Sequence, residues 1–136
     1  MTLYTGTALA ALALFVGFTL SVARRPAPSG TGNWWVPAVA SVLFAAFSLA
    51  AIAQGGPFGF WPLHTADLWG NQVWIDLLIA IGIGWAFVAP RAREVGMRPG
   101  VWLAVVLCTG CIGLLAMTAR MMYLRDARPA PAAHAV

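Results

Sequence analysis

Charge is what this chain has least of. Only 9% of its 136 residues are charged, against about 25% in an ordinary soluble domain. Lysine is absent, and all eight basic residues are arginine. With 61% hydrophobic residues and a mean hydropathy of +0.82, the composition excludes an ordinary soluble domain and indicates an integral membrane protein. The arginines flank apolar runs and form no basic stripe with interleaved aromatics, which excludes nucleic acid as a partner. The first residues, Met1 and Thr2, carry no positive charge. The opening apolar run therefore lacks the basic leader of a signal peptide and reads as an uncleaved anchor. No histidine lies inside an apolar run, so haem has no ligand there: His64 falls in a connector and His134 in the tail.

Four apolar segments of spanning length remain, at about 3–23, 35–54, 71–89 and 100–123. They predict an all-α integral membrane four-helix bundle of antiparallel up-down spans, one domain over 1–125, with 126–136 as a disordered Pro/Ala tail. Connectors rich in proline and glycine separate the spans, and 55–68 reads as neither helix nor long strand. Pro90 is expected to stop the third span. Small residues in the second, among them Ala40, Ser41, Ala45 and Ser48, suit close helix packing in lipid. By the arginine bias, the connectors holding Arg24, Arg25, Arg91, Arg93 and Arg98 are cytoplasmic and both termini lie outside. Arg120, Arg125 and Arg128 oppose that assignment.

Asp76 is the one acid inside a long apolar run. An ionisable group there costs at least a few kcal/mol on insertion scales, so it is expected to face the bundle interior and have a partner. In antiparallel neighbours, Asp76 near the start of the third span and Arg120 near the end of the fourth share one half of the membrane. Gln72 lies one turn before Asp76 and Asn71 beside it, so the expected grouping is amide, carboxylate and guanidinium below the loop that holds His64 and Asp67. A buried pair that fixes packing is expected ahead of a substrate or proton site. His64 and Asp67 alone fall short of the donors a metal needs, and capping or solvation suits them better. No metal and no cofactor is expected.

The two cysteines, Cys108 and Cys111, are spaced C-x-x-C. In a small helical membrane protein this pair resembles that of the quinone-linked disulfide oxidoreductases of the vitamin K epoxide reductase type, which implies a redox alternative. Those enzymes relay through a second pair that this chain lacks. An apolar setting also favours inert thiols that pack beside Gly110 and Gly113.

From Gln72, Val73, Asp76, Leu77 and Ala80, through Pro90, Arg91, Arg93, Gly96, Arg98, Pro99 and Trp102, to Thr109, Gly110 and Gly113, the chain resembles a family of small uncharacterised four-span bacterial membrane proteins. The resemblance covers 70–125 and departs at Leu114, where a proline is expected after the glycine. It implies a multi-pass bacterial inner-membrane protein and carries no assigned activity. Other four-span classes fit less well: small multidrug exporters need an acid in the first helix, and membrane glutathione transferases an arginine- and asparagine-rich motif. The functional expectation is a structural or accessory subunit without catalysis. Its partners are the lipid bilayer and a larger membrane complex or other copies of itself. The alternatives are a small-solute or lipid carrier using Asp76 and a thiol-quinone oxidoreductase using Cys108 and Cys111.

Overall fold

The computed structural model describes residues 3–23 and 33–127, and among them there are helices and no strands. The chain divides into two units, Met1–Thr31 and Gly32–Val136. The first holds α1, Leu3–Ala23. Thr19 turns its hydroxyl back onto the Phe15 and Val16 carbonyls at 2.9 and 3.0 Å, which satisfies that donor within an apolar helix. The connector with Arg24 and Arg25 lies outside the described residues, as does the tail beyond Ala127.

The second unit contains α2 (Trp35–Gly55), α3 (Phe60–Thr65), α4 (Leu68–Glu94), α5 (Pro99–Thr109) and α6 (Cys111–Asp126). α2 and α4 have 21 and 27 residues, about 31 and 40 Å at ~1.5 Å per residue. Both are long and apolar enough to cross a membrane. Only 6% of the apolar window of each is buried. A core helix of a soluble protein would be mostly covered, so these two present their apolar surface outward.

The connector at 55–68 departs from expectation by containing α3. Pro62 lies inside its six residues, near the start, where a missing N–H costs little. α4 also outruns its expected limits at both ends. It starts earlier because Asp67, in extended conformation, caps it: the carboxylate accepts from the Gly70 N–H at 2.7 Å. It ends at Glu94 because Pro90 is absorbed within the helix. Proline removes the N–H that would bond the Ala86 carbonyl. One residue along, Arg91 Nη1 donates to the Phe87 carbonyl at 2.9 Å, adding a donor where the ladder is weakened.

The largest correction concerns 100–123. In place of one span there are two helices hinged at Gly110, whose φ of 60° and ψ of −128° suit glycine alone. α5 has 11 residues, about 16 Å, too short to cross. α6 folds back along it: a Cβ at Gly113 would lie 3.1 Å from the Val105 backbone carbon. The pair is a helical hairpin with its tip at Gly110.

Residue contacts set the direction of α6. Trp34 at the head of α2 packs edge-on against Tyr123, ring centroids 5.5 Å apart, and Ser41 bonds Ile112, so α2 and α6 are antiparallel. Against α4 the order is different. Gly110 lies by Ile81 and Gly84 by Leu114, while Ala89 and Ala92 share a buried cluster with Met117, Met121 and Met97. Numbers rise together, so α4 and α6 run in parallel. The expected up-down alternation does not extend to this pair, because the hairpin returns the chain to the end it left.

Candidate functional site

The parallel register decides how the expected site residues relate. Arg120 precedes Met121, which packs in the cluster with Ala92. Asp76 lies sixteen positions before Ala92, about 24 Å along the helix. The two were expected in one half of the molecule; they lie toward opposite ends of α4. Both are exposed, and neither forms an ion pair or side-chain hydrogen bond among the described residues. The expectation failed because it assumed that the last apolar run crosses once.

The same register gathers the arginines. Arg91 and Arg93 flank Ala92, Arg98 follows Met97, and Arg120 and Arg125 lie on either side of Tyr123, which meets Trp34. All five belong to one end of the second unit. Arg120 and Arg125 therefore no longer oppose Arg91, Arg93 and Arg98, while Arg128 lies outside the described residues.

The other end is aromatic and acidic. α3 lies on the first turns of α4, held by a close approach of Gly70 to the Leu63 carbonyl that leaves no room for a Cβ. Trp74 is the centre of this contact. Phe60 stacks on it at 5.7 Å, Trp61 meets it edge-on at 6.4 Å, and His64 tilts over it at 5.2 Å. His64 is half-buried with Nδ1 3.3 Å from the Gly70 carbonyl oxygen. Asp67 is engaged as the cap of α4. No three His, Cys, Asp or Glu side chains converge among the described residues. Asn71 and Gln72 are exposed on the turn before Asp76 and make no side-chain hydrogen bond among the described residues. The expected amide-carboxylate-guanidinium grouping is thus reduced to Asn71, Gln72 and Asp76 on one helix.

Cys108 and Cys111 flank the hinge, with free thiols; Cys108 is exposed and Cys111 half-buried. Thr109 between them turns its hydroxyl onto the Val105 carbonyl at 2.7 Å. Two features of this region were not anticipated. Gly110 as a hairpin tip has a weak signal in sequence, a lone Thr-Gly step within an apolar run. Ser41 is a buried hydroxyl bonded to the Ile112 carbonyl, and nothing in sequence separates it from the small packing residues around it.

The tip lies beside the middle of α4. Ile81, its neighbour on α4, is ten positions from both Asn71 and Arg91, about 15 Å either way. Comparison with known proteins adds nothing to this picture: no family model, curated protein or solved structure matches the chain.

Proposed function

We propose that the chain is a small multi-pass protein of a bacterial inner membrane, in which α2 and α4 cross and α5 and α6 enter from one face and return to it. It serves as a non-catalytic structural or accessory subunit whose fold is completed by other protein, either further copies or a larger complex. One observation carries this reading: a helix break at mid-depth with Leu107, Cys108 and Thr109 exposed around it. The ends of α5 and α6 leave backbone carbonyls and N–H groups without helical partners. Hydrocarbon offers them none, and non-helical backbone at such depth is tolerated only where protein or a water-filled cavity covers it. The length and apolarity of α2 and α4 support a membrane as the location.

Site-specific photocrosslinking tests this in native membranes. A photoreactive side chain at Leu107, 77% exposed, is expected to give adducts with another copy or with one reproducible protein, identified by mass. Adducts with lipid alone would defeat the reading.

A carrier is the second reading, and Asp76 favours it. A carboxylate with no side-chain partner among the described residues, on a membrane helix, calls for water, a headgroup or a bound solute. If Asp76 holds a cationic solute, that solute should protect it from a membrane-permeant carbodiimide. Modification at an unchanged rate with every solute offered argues for the structural role.

A further inference from the structure

The arginine end of the second unit presents five exposed guanidinium groups, Arg91, Arg93, Arg98, Arg120 and Arg125, with Glu94 and Asp126 as the acids beside them. Toward the other end lie Asp67 and Asp76, with no arginine among the described residues. This separation is not produced by neighbours in sequence. It requires the hairpin, because a single crossing from α5 through α6 would carry Arg120 and Arg125 away from the rest. Trp34 and Tyr123, packed edge-on at 5.5 Å, mark the same end with the aromatic pair expected at a headgroup boundary. The arginines differ in what occupies them: Arg91 spends one N–H on the Phe87 carbonyl, while Arg93, Arg98, Arg120 and Arg125 make no side-chain hydrogen bond among the described residues.

We propose that this end binds the anionic phospholipid headgroups of the cytoplasmic leaflet, and that α5 and α6 dip from that leaflet and return, leaving Gly100 and Ala127 on one side. The inference rests on the membrane placement above. Its chemistry is that of charge and geometry together. Guanidinium groups hold phosphate oxygens in paired hydrogen bonds, and arginine close to an anionic surface is attracted by about 1 kcal/mol each. Cytoplasmic orientation follows from the bias of arginine toward that face.

Lipid retention and labelling test the two halves. Purified protein equilibrated with mixed phosphatidylglycerol and phosphatidylcholine micelles is expected to retain phosphatidylglycerol above the bulk ratio, by roughly fivefold for each arginine in contact with a headgroup. Changing the five arginines to Gln should return the ratio to bulk, and changing them to Lys should keep most of the enrichment. Single Arg→Gln changes report in the same direction should the combined variant fail to fold. A bulk ratio in the unaltered protein, or enrichment that survives the Gln changes, overturns the proposal. For the hairpin, Gly100→Cys, Ala127→Cys and Ala66→Cys are made one at a time with Cys108→Ala and Cys111→Ala. In intact cells an impermeant maleimide should reach only the Ala66→Cys protein, and opening the membrane should expose the other two. Labelling of the Gly100 and Ala127 positions from opposite faces overturns the hairpin. Equal labelling of all three in intact cells overturns the membrane placement itself, a different failure.

Discussion

Ser41 of α2 donates its hydroxyl hydrogen to the Ile112 carbonyl oxygen of α6 at 3.0 Å. It is a direct polar tie between α2 and the hairpin, placed within one turn of the tip. Ser41 is only 6% exposed, so the hydroxyl has no water to fall back on. In lipid, where apolar burial gives helices little reason to associate, close packing and such bonds hold them. Ser41→Ala is expected to lower stability in detergent by about 0.5–1.5 kcal/mol. Ser41→Leu should lower it more, by crowding the contact with α6. An unfolding titration in mixed micelles measures both, and equal stability of all three proteins would show that the tie contributes nothing.

Gly110 is where the chain reverses. Its φ and ψ of 60° and −128° belong to a turn position that side-chain-bearing residues avoid. Gly110→Ala is expected to cost about 1–3 kcal/mol from backbone strain, although space exists for a methyl group, with Ile81 Cδ1 at 3.6 Å. Gly82→Ala is the control. It lies within α4 with nothing within 4 Å of the added Cβ, so it should be neutral or gain up to about 1 kcal/mol. Unfolding of the two variants in parallel separates strain from crowding; a neutral Gly110→Ala would exclude strain at the hinge.

These two residues show what the sequence made legible and what it did not. The helices α1 and α2 and the body of α4 follow from long apolar runs bounded by Pro/Gly connectors, and their limits were readable to within a few residues. The hinge was hidden because α5 and α6 together have the length of one span, and apolar periodicity is the same for a straight helix and for two that fold together. Pro90 misled in the opposite direction: a helix that can tolerate the lost bond continues through it, and only the structure records the Arg91 donor beside it. The aromatic end illustrates a third case. Phe60, Trp61, His64 and Trp74 were all visible as residues, but a six-residue helix packed by ring contacts leaves no periodic trace. Asp76, finally, lies near the start of the third apolar run and of α4 alike, whereas the place of Arg120 relative to it depended on the hinge.

The cap of α4 gives a prediction confined to the aromatic end. Asp67 is exposed, but its carboxylate satisfies the Gly70 N–H at 2.7 Å, and Gly70 is the residue pressed against α3. Asp67→Ala is expected to cost about 0.5–2 kcal/mol, and Asp67→Asn or Asp67→Ser much less. Because α3 depends on that turn, tryptophan fluorescence should shift in the Ala variant and hold in the others.

For Cys108 and Cys111, the non-catalytic reading expects both to be replaceable. They flank the hinge as free thiols, and the chain holds no further cysteine to relay electrons. With both changed to Ala, insertion and complex formation should be retained at near the original level. Trapping of a mixed disulfide after Cys108→Ala alone or Cys111→Ala alone, or loss of quinone reduction in the double variant, would favour the redox alternative.

Asp76 and Arg120 offer the most direct check on the parallel register of α4 and α6. An antiparallel fourth span would bring them within reach of each other; with Met121 packed in the same cluster as Ala92, they are separated by about 24 Å of helix, beyond any arginine stem. Groups that far apart with no shared partner have additive effects, to within about 0.3–0.5 kcal/mol. The losses from Asp76→Asn and from Arg120→Gln should therefore sum to that of the double variant, with neither change rescuing the other. Arg120→Gln should in addition lower retention of anionic lipid, while Asp76→Asn leaves it unchanged, because only Arg120 belongs to the arginine end. A coupling of about 1 kcal/mol or more, outside the additive range, would place the two side chains together. It would replace the hairpin by a single crossing, and with it remove the common face shared by the arginines.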